Sequence, residues 1–380
     1  MTSFGGGHVH HGVQALVGWL SANPSFPGVE LRGSATGAHL AAIEDSILSP
    51  LPADLRLILR RHNGARLPSG QLLSTDGDHE TSIPGVLKEL ATRMGLPVND
   101  PEVLLPFFRS DDGGILAFDR TAGPVADTWP IVDYDMESEE LRLVFRTFDG
   151  WCRLCVAEWT ASDFREPFTL DKYLRAGERH VQIEPDVSVA HATVAHALRR
   201  AGEPERALSS YLTAAHCVPA LPWSDWEALK IAVLLRDARA VQEAGGRLCS
   251  RAPGARWRAR ETTPELVADV LGHMAAVIRP KESLLQLFDH LREQAEDAPG
   301  REHIGAIRRA VFEGGPPPPT HPIRTLNVAL SEDPDVALSS VKQAYRDGTI
   351  RDDDLLLEPG FRPLLERGLG GDIIRQARPF

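Results

Sequence analysis

Cysteine is scarce in this chain, four residues among 380, which excludes the disulfide framework on which small secreted domains rely. Cys152 and Cys155 form a CxxC, but they lie in an aromatic run that reads as a strand, where positions three apart point to opposite faces. A zinc site would need two further ligands at suitable spacing, and Cys217 and Cys249 stand isolated in helical sequence, so all four read as free thiols. No stretch approaches eighteen consecutive apolar residues, which argues against a membrane span. The opening MTSFGGGHVHHG has neither a basic leader nor an apolar signal core, so a cytoplasmic location is expected. A Gly-rich phosphate loop with lysine, a HExxH, a GxSxG and a paired CxxC site are also missing. Basic residues are outnumbered, giving a net charge of −12 that would repel a phosphate backbone. Nucleic acid is therefore not an expected partner, and a basic protein is.

Hydrophobic residues at 42% and charged residues at 25% are ordinary for a globular protein, and 380 residues are long for one core, so two or three domains are expected. Residues 1–34, with His8, His10 and His11 among glycines, read as a flexible lead-in. Two helices with a tight break follow from Ala38 to Gly64. Leu40, Ile43 and Ile47 recur at helical spacing, Ser49-Pro50 stops the run, and Pro52 opens the second helix. On that helix Leu55, Ile58, Leu59 and His62 share a face. Asn63-Gly64 supplies a left-handed stop, and His62 reads as a cap on the last carbonyls. A further helix fits SIPGVLKELATRMGL, after which the texture becomes β.

The segment LPFFRSDDGGILAFDR, Leu105 to Arg120, places two apolar runs around an acidic knot. A calcium loop beginning at Asp111 has Gly113 where the third-position ligand belongs, so it fails. A hairpin turning at Asp112-Gly113 fits, with Phe107 opposite Phe118 and Arg109 opposite Leu116. Further strands are read in WPIVDYD and LRLVFRTFDGWCRLCVAEW, and FREPFTLDKYLRAG closes the unit with a helix. From Asn99 to Asp149 there are twelve Asp or Glu against four Arg, densest in DYDMESEE. That run also fails as a calcium loop, with Ser138 in the glycine position and Val144 in place of the final acid. Two readings stay open: a solvated turn, or an electrostatic face that steers a basic partner. The residues of such a face are Asp111, Asp112, Asp133, Asp135, Glu137, Glu139 and Glu140.

The order of LPADLRLILRRHNGA and then PFFRSDDGGILAFDR resembles the SUKH superfamily, which contains the yeast cell-wall assembly regulators and many bacterial immunity proteins. The marks are Glu44 in the first helix, the Leu51-Pro52 start, the Asn63-Gly64 stop, and the glycine hairpin Gly113-Gly114 feeding Asp119. The resemblance spans roughly residues 35 to 175, a domain-sized block. It implies a protein-binding α+β module that neutralises toxins delivered between cells or encoded nearby, and it carries over no catalytic residue.

After Pro185 the strand texture disappears. VSVAHATVAHALRRAGEPERALSSYLTAAHCVP resembles a tetratricopeptide repeat, with Gly202 at the turn and Ala207, Tyr211, Ala214 and Pro219 at the repeat's spacing. Val194, Ala195 and Leu198 take packing positions, and His191 replaces a large residue. Pro253 follows Pro219 at the period of the repeat. His191 and His196, five apart, do not share a helical face for a metal. Trp223, Trp226 and Trp257 read as packing anchors, a peptide groove being the alternative. Later helices fit TPELVADVLGHMAAVI, SLLQLFDHLREQAED, DPDVALSSVKQAYRDG and DDDLLLEPGFRPLLERG, with a spacer at Pro316 to Pro319.

The expected fold is thus an α+β SUKH-like domain over 35–180, tetratricopeptide-like helical repeats over 186–314, and a Pro-rich spacer with C-terminal helices over 315–380. No cofactor and no metal are expected. The function implied is that of a non-catalytic cytoplasmic protein-binding protein, most concretely an immunity protein that binds a basic toxin domain. The alternative is a scaffold that uses both halves; a metal-dependent hydrolase assembled from Asp and His is a third class.

Overall fold

In the computed structural model the described residues are 11–123, 125–136, 140–221, 223–250, 264–274, 281–314, 318 and 333–378. The chain divides into two compact units, Met1–Pro167 with Glu178–Ala190, and Phe168–Gly177 with His191–Phe380.

The first unit is α+β. Its helices are α1 (His11–Ala22), α2 (Gly37–Ile47), α3 (Ala53–Arg61), α4 (Ile83–Met94), α5 (Phe148–Thr160) and the end of α6 (Leu170–Ile183). Among the described residues seven strands, β1 (Glu30–Leu31), β2 (Ala65–Leu67), β3 (Gly70–Leu72), β4 (Leu105–Ser110), β5 (Ile115–Phe118), β6 (Ile131–Tyr134) and β7 (Leu141–Phe145), pair antiparallel in chain order. Local chemistry accounts for the helix ends. Thr36 caps α2 by accepting from the His39 N–H at 3.2 Å, and Ser82 caps α4 by accepting from Gly85 at 3.2 Å. Gly95, at φ 68°, ends α4 in the left-handed region.

Four readings of the sequence need correction. The lead-in expected to be flexible is helical from His11, because Val13, Leu16 and Leu20 fall at helical spacing and bury against the core. Gly12 permits that packing: a Cβ there would lie 2.4 Å from the Asp149 carbonyl oxygen, and its N–H donates to Asp149 Oδ1 at 2.6 Å. The CxxC is on helix α5, not on a strand. Thr147 caps the helix by accepting from Gly150, and a spacing of three then puts Cys152 and Cys155 on one buried face. Burial pushes both thiols up, away from reactivity.

The β4–β5 hairpin exists, but its register differs from the expected one. Phe108 faces Leu116 and Arg109 faces Ile115, with a bulge between Pro106 and Phe108. The loop holds three residues, Asp111 to Gly113, closed by the Ser110 N–H to Gly114 O at 2.9 Å, and Gly113 takes φ 92°. The stacking of Phe107 on Phe118 is nevertheless present, at 5.0 Å between ring centres. Finally, His62 is the C-cap of α3, but through its backbone: its N–H donates to the Ile58 carbonyl at 2.7 Å, while its ring meets the Arg32 backbone rather than the last carbonyls of the helix.

The second unit is all helical. It contains α7 (Ser188–Arg200, from His191), α8 (Pro204–His216), α9 (Ser224–Leu234), α10 (Ala238–Ser250), α11 (Pro264–Met274), α12 (Lys281–Gln294) and α13 (Ala298–Glu313). The final helices are α14 (Pro334–Arg346), α15 (Asp352–Leu357), α16 (Arg362–Glu366) and α17 (Gly370–Ile374). Gly202 turns the chain between α7 and α8 at φ 79°, and Ala207, Tyr211 and Ala214 are buried. α8 packs on α9, α9 on α10, and α11 and α12 on α13. Trp226 is fully buried, as a packing anchor should be, while Trp257 and most of the Pro316–Pro319 run lie outside the described residues.

The last helices return to the first ones, a closure that the sequence reading does not contain. Both α15 and α17 meet α9. Buried Arg199 donates to Asp352 at 2.9 Å and to the Ile374 carbonyl at 3.0 Å, and the Tyr345 hydroxyl donates to the same Asp352 at 2.9 Å. Lys230 sits between Glu227 at 2.8 Å and Asp353 at 2.9 Å, above the Trp226 ring. Each buried charge has an opposite charge beside it, without which its desolvation would oppose folding.

In the first unit the comparable buried cation is Arg120, which donates to the carbonyls of Ile47 at 2.9 Å, Val103 at 3.2 Å and Asn99 at 3.3 Å. It ties the C-terminal end of α2 to two turns. Arg120→Met removes all three donors while keeping the volume. Orphaned buried acceptors cost roughly 1–3 kcal/mol apiece, so the variant should lose about 3 kcal/mol in urea unfolding followed by tryptophan fluorescence.

Candidate functional site

The residues that mark the α2–α3 corner and the hairpin are structural fixtures. Glu44 accepts from the Leu51 N–H at 2.8 Å and pairs with Arg56, locking the break between α2 and α3. Buried Asn63 accepts from the Thr75 N–H at 2.7 Å and hydroxyl at 2.8 Å, and it donates to Asp76 at 2.7 Å. Gly64 has φ 86°, and a Cβ there would come within 2.8 Å of Ser74. Asp119 accepts from the Thr121 N–H at 3.0 Å, capping the turn at Arg120–Ala122. None of these groups is left to act on a substrate.

The acidic residues are partly assembled by the sheet. Asp133 lies on β6 opposite Leu116 of β5 and Arg142 of β7. The bare Cα of Gly114 makes space for it, since a Cβ would lie 2.8 Å from Asp133 Oδ1. Burial pushes the Asp133 carboxyl up, and the charges of Asp112 and Asp135 push it in the same direction, while Arg142 opposes them. Asp112, Asp133 and Asp135 therefore share one end of the sheet. Asp112 accepts from the Ser110 hydroxyl and from the Gly114 N–H at 3.3 Å. Asp111 turns away and pairs with Arg66 of β2 at 2.7 Å. Glu140 pairs with Arg142 at 2.7 Å, and its carbonyl accepts from the Asp135 N–H at 3.0 Å, closing the β6–β7 turn. Glu137 and Glu139 lie outside the described residues.

A second feature of the first unit is absent from the sequence reading. A groove of about 750 Å³ runs between α3 and the turn Ala126–Thr128, lined by Pro50, Leu51, Ala53, Leu57, Val125 and charged residues of both signs. Leu57 is 40% exposed and Val125 55%. Leu48, which ends α2 in the left-handed conformation at φ 53°, is 73% exposed. Leu57 could have been noticed as an apolar residue on the polar side of α3, between Arg56 and Arg60. Val125 gives no such signal, because the fold alone brings it there.

In the second unit, His303 meets Asp269 at 2.9 Å between α13 and α11. Such a pair can orient an imidazole, yet a reacting centre would also need a nucleophile or metal within reach. Among the described residues no group of three or more His, Cys, Asp or Glu is placed to hold a metal ion, and no helix is long and apolar enough to cross a membrane. His196 stands edge-on to Tyr173 at 6.0 Å, and burial lowers its pKa.

Two pH dependences follow. The folded Asp133 pKa is raised, so its ionisation opposes folding. The penalty is absent below the unfolded carboxylate value of about 3.9 and is complete above the raised value. Asp133→Asn should raise the melting temperature at pH 7 and leave it unchanged near pH 3, which calorimetry at both pH values checks. The hydrogen bond to Asp269 raises His303, so this pair stabilises fully below the unfolded value of about 6.5 and is lost as pH rises through the folded one. His303→Gln should destabilise at pH 6, with the difference narrowing toward high pH in urea titrations.

Comparison with known proteins bears on the first unit. Residues 34–153 match the SMI1 / KNR4 family (SUKH-1), covering α2 through the start of α5. No curated protein matches the chain. The matched stretch contains the Glu44 lock, the Asn63-Gly64 stop and the glycine hairpin in the order expected, and the N-terminal unit of this chain accordingly carries a SUKH-1 domain of the SMI1 / KNR4 family, followed by an all-helical region.

Proposed function

We propose that the protein acts by binding another protein rather than by catalysis, and that its most concrete role is that of an immunity protein which occludes a toxin. The observation that carries this reading is the SUKH-1 match over residues 34–153, a family that is generally non-catalytic. The binding surface we assign is the acidic end of the sheet, Asp112, Asp133 and Asp135 with Glu140; Asp111, which pairs with Arg66, and Glu137 and Glu139, which lie outside the described residues, complete the residues proposed. Burial, with the charges of Asp112 and Asp135 beside it, raises the Asp133 carboxyl, so an incoming cation at this end of the sheet is favoured. A basic toxin domain is the partner of that chemistry, and we place the encounter in the cytoplasm. In this reading residues 35–180 form the recognition part. Residues 186–314, as tetratricopeptide-like repeats, and 315–380 form its support.

A separate scaffold role is favoured by one feature, the size of the helical region, which is at least as long as the recognition domain. The two readings part on stoichiometry and on the surface used. The full chain, immobilised and exposed to native-host extract at low and high salt, should retain one dominant basic protein, held less well at high salt. The triple variant Asp112→Lys, Asp135→Lys, Glu140→Lys should weaken that capture by roughly tenfold or more at low salt. Several partners, unaffected by the triple variant, would favour the scaffold. Unchanged capture of a single partner would remove the acidic surface from the proposal.

A further inference from the structure

The sheet of the first unit has two edges. β1, at one of them, is two residues long, and β7, at the other, is five. An edge strand carries a row of backbone groups that only another strand can pair in full. On β7 the direction of those groups follows from the ladder. The Asp135 N–H donates to the Glu140 carbonyl at 3.0 Å, and Asp133 lies opposite Arg142 in the same register. Hydrogen-bonded pairs alternate along an antiparallel ladder. Glu140 and Arg142 therefore turn their backbone groups inward to β6, and Leu141 and Leu143 turn theirs outward. The β5–β6 ladder agrees, since the Asp119 N–H donates to the Pro130 carbonyl at 2.9 Å, which turns Val132 and Tyr134 toward β5 and leaves Asp133 and Asp135 for β7.

Half of this edge is closed. Beyond Leu143, His180 Nε2 meets the Val144 carbonyl at 2.9 Å and the Arg146 N–H donates to Glu184 at 3.3 Å, so side chains from the end of α6 and the residue after it take the place of a strand. The first half is open. The N–H and carbonyl groups of Leu141 and Leu143 have no hydrogen bond among the described residues, and the Leu141 side chain is 50% exposed.

The two faces of the open half differ in chemistry. Residues opposite one another share a face, and alternate residues of a strand return to it. Asp133, Asp135, Glu140 and Arg142 thus lie on one face, three carboxylates to one guanidinium, with Asp112 beside them across the bare Cα of Gly114. Leu141 and Leu143 lie on the other face, opposite Tyr134 and Val132. On that side Arg93 and Arg109 converge on Glu89, at 3.7 and 3.1 Å, and the excess of carboxylates stays with the first face. A strand added here needs basic residues on one face and apolar residues on the other, which is the period of two of an extended segment. A second copy of β7 fits worse, because it would bring its own three carboxylates against these.

We propose that the open half of β7 receives an extended segment of the partner protein as a further strand of the sheet, one that alternates lysine or arginine with apolar residues. The inference rests on the reading of the acidic end as the binding surface and adds the mode of binding. Backbone hydrogen bonds to Leu141 and Leu143 hold the segment, and the carboxylates select its charge.

The test uses the full chain and three fluorescently labelled eight-residue peptides: alternating lysine and valine, the same with glutamate for lysine, and the lysine peptide N-methylated at its four central residues. Anisotropy titrations should show saturable binding of the lysine peptide, with both others weaker by about tenfold or more. Leu141→Pro removes one outward N–H and leaves the ladder to β6 intact, a substitution that edge strands accept, and it should weaken the lysine peptide about tenfold. Leu141→Ala keeps that N–H and should weaken it by less than about threefold. Circular dichroism reports the folding of both variants, and the N-methylated peptide asks the same question of the unaltered protein. No saturation by the lysine peptide up to 1 mM, or equal binding of its N-methylated form, overturns the proposal. In either case the acidic surface survives if the Asp112, Asp135 and Glu140 triple variant still loses capture from extract, and falls as well if it does not. A dimer in sedimentation that Leu141→Pro dissolves while no peptide binds also overturns the proposal, because the edge would then join copies of this chain.

Discussion

The ring of Phe107 joins the sheet of the first unit to its helices. Its centre lies 5.0 Å from those of Phe118, Phe148 and Trp151, two of them edge-on. Phe118 comes from the neighbouring strand, and Phe148 and Trp151 come from the first turn of α5. Aromatic packing of this kind is strongly directional as well as hydrophobic. It fixes where α5 starts, and α5 in turn presents the surface on which α1 lies, through the gap left by Gly12. The bulge in β4 serves the same end. By adding one residue to the strand it lets both Phe107 and Phe108 be buried, which strict alternation would forbid.

What could be read from the sequence was local. The end of α3 just before Asn63-Gly64, the helix α4, and the existence of a β4–β5 hairpin each depend on a few adjacent residues, and each is present, though α3 is closed by extended His62 and the left-handed residue, Gly64, comes two positions later. The register of the hairpin was not legible, because a bulge depends on what Phe107 meets across the core. The CxxC was misread for a related reason. Phe148, Trp151 and Trp159 are β-prone by type, and only the Thr147 cap marks the switch from strand to helix. β1, β2 and β3 are two or three residues long, too short to show a period.

The functional surfaces divide in the same way. The acidity of residues 99–149 is plain in the sequence, but the placing of Asp112 beside Asp133 requires the pairing of β5 with β6. Asp111, its neighbour in sequence, goes to Arg66 instead. The groove draws on residues 50–60 and 125–127, some 70 positions apart, and no local pattern announces it. One small domain then carries an acidic end and, elsewhere, a groove lined by charges of both signs.

Arg199 and Asp352, the buried pair at the centre of the helical unit, are 153 positions apart. On a ribosome adding about 5–20 residues each second, the guanidinium emerges many seconds before the carboxylate that will neutralise it. Through that interval the carboxyl end of α7 cannot take its buried place without stranding a charge away from water. The first helices of the unit must stay wet, loosely docked, and visible to chaperones until the last helices arrive.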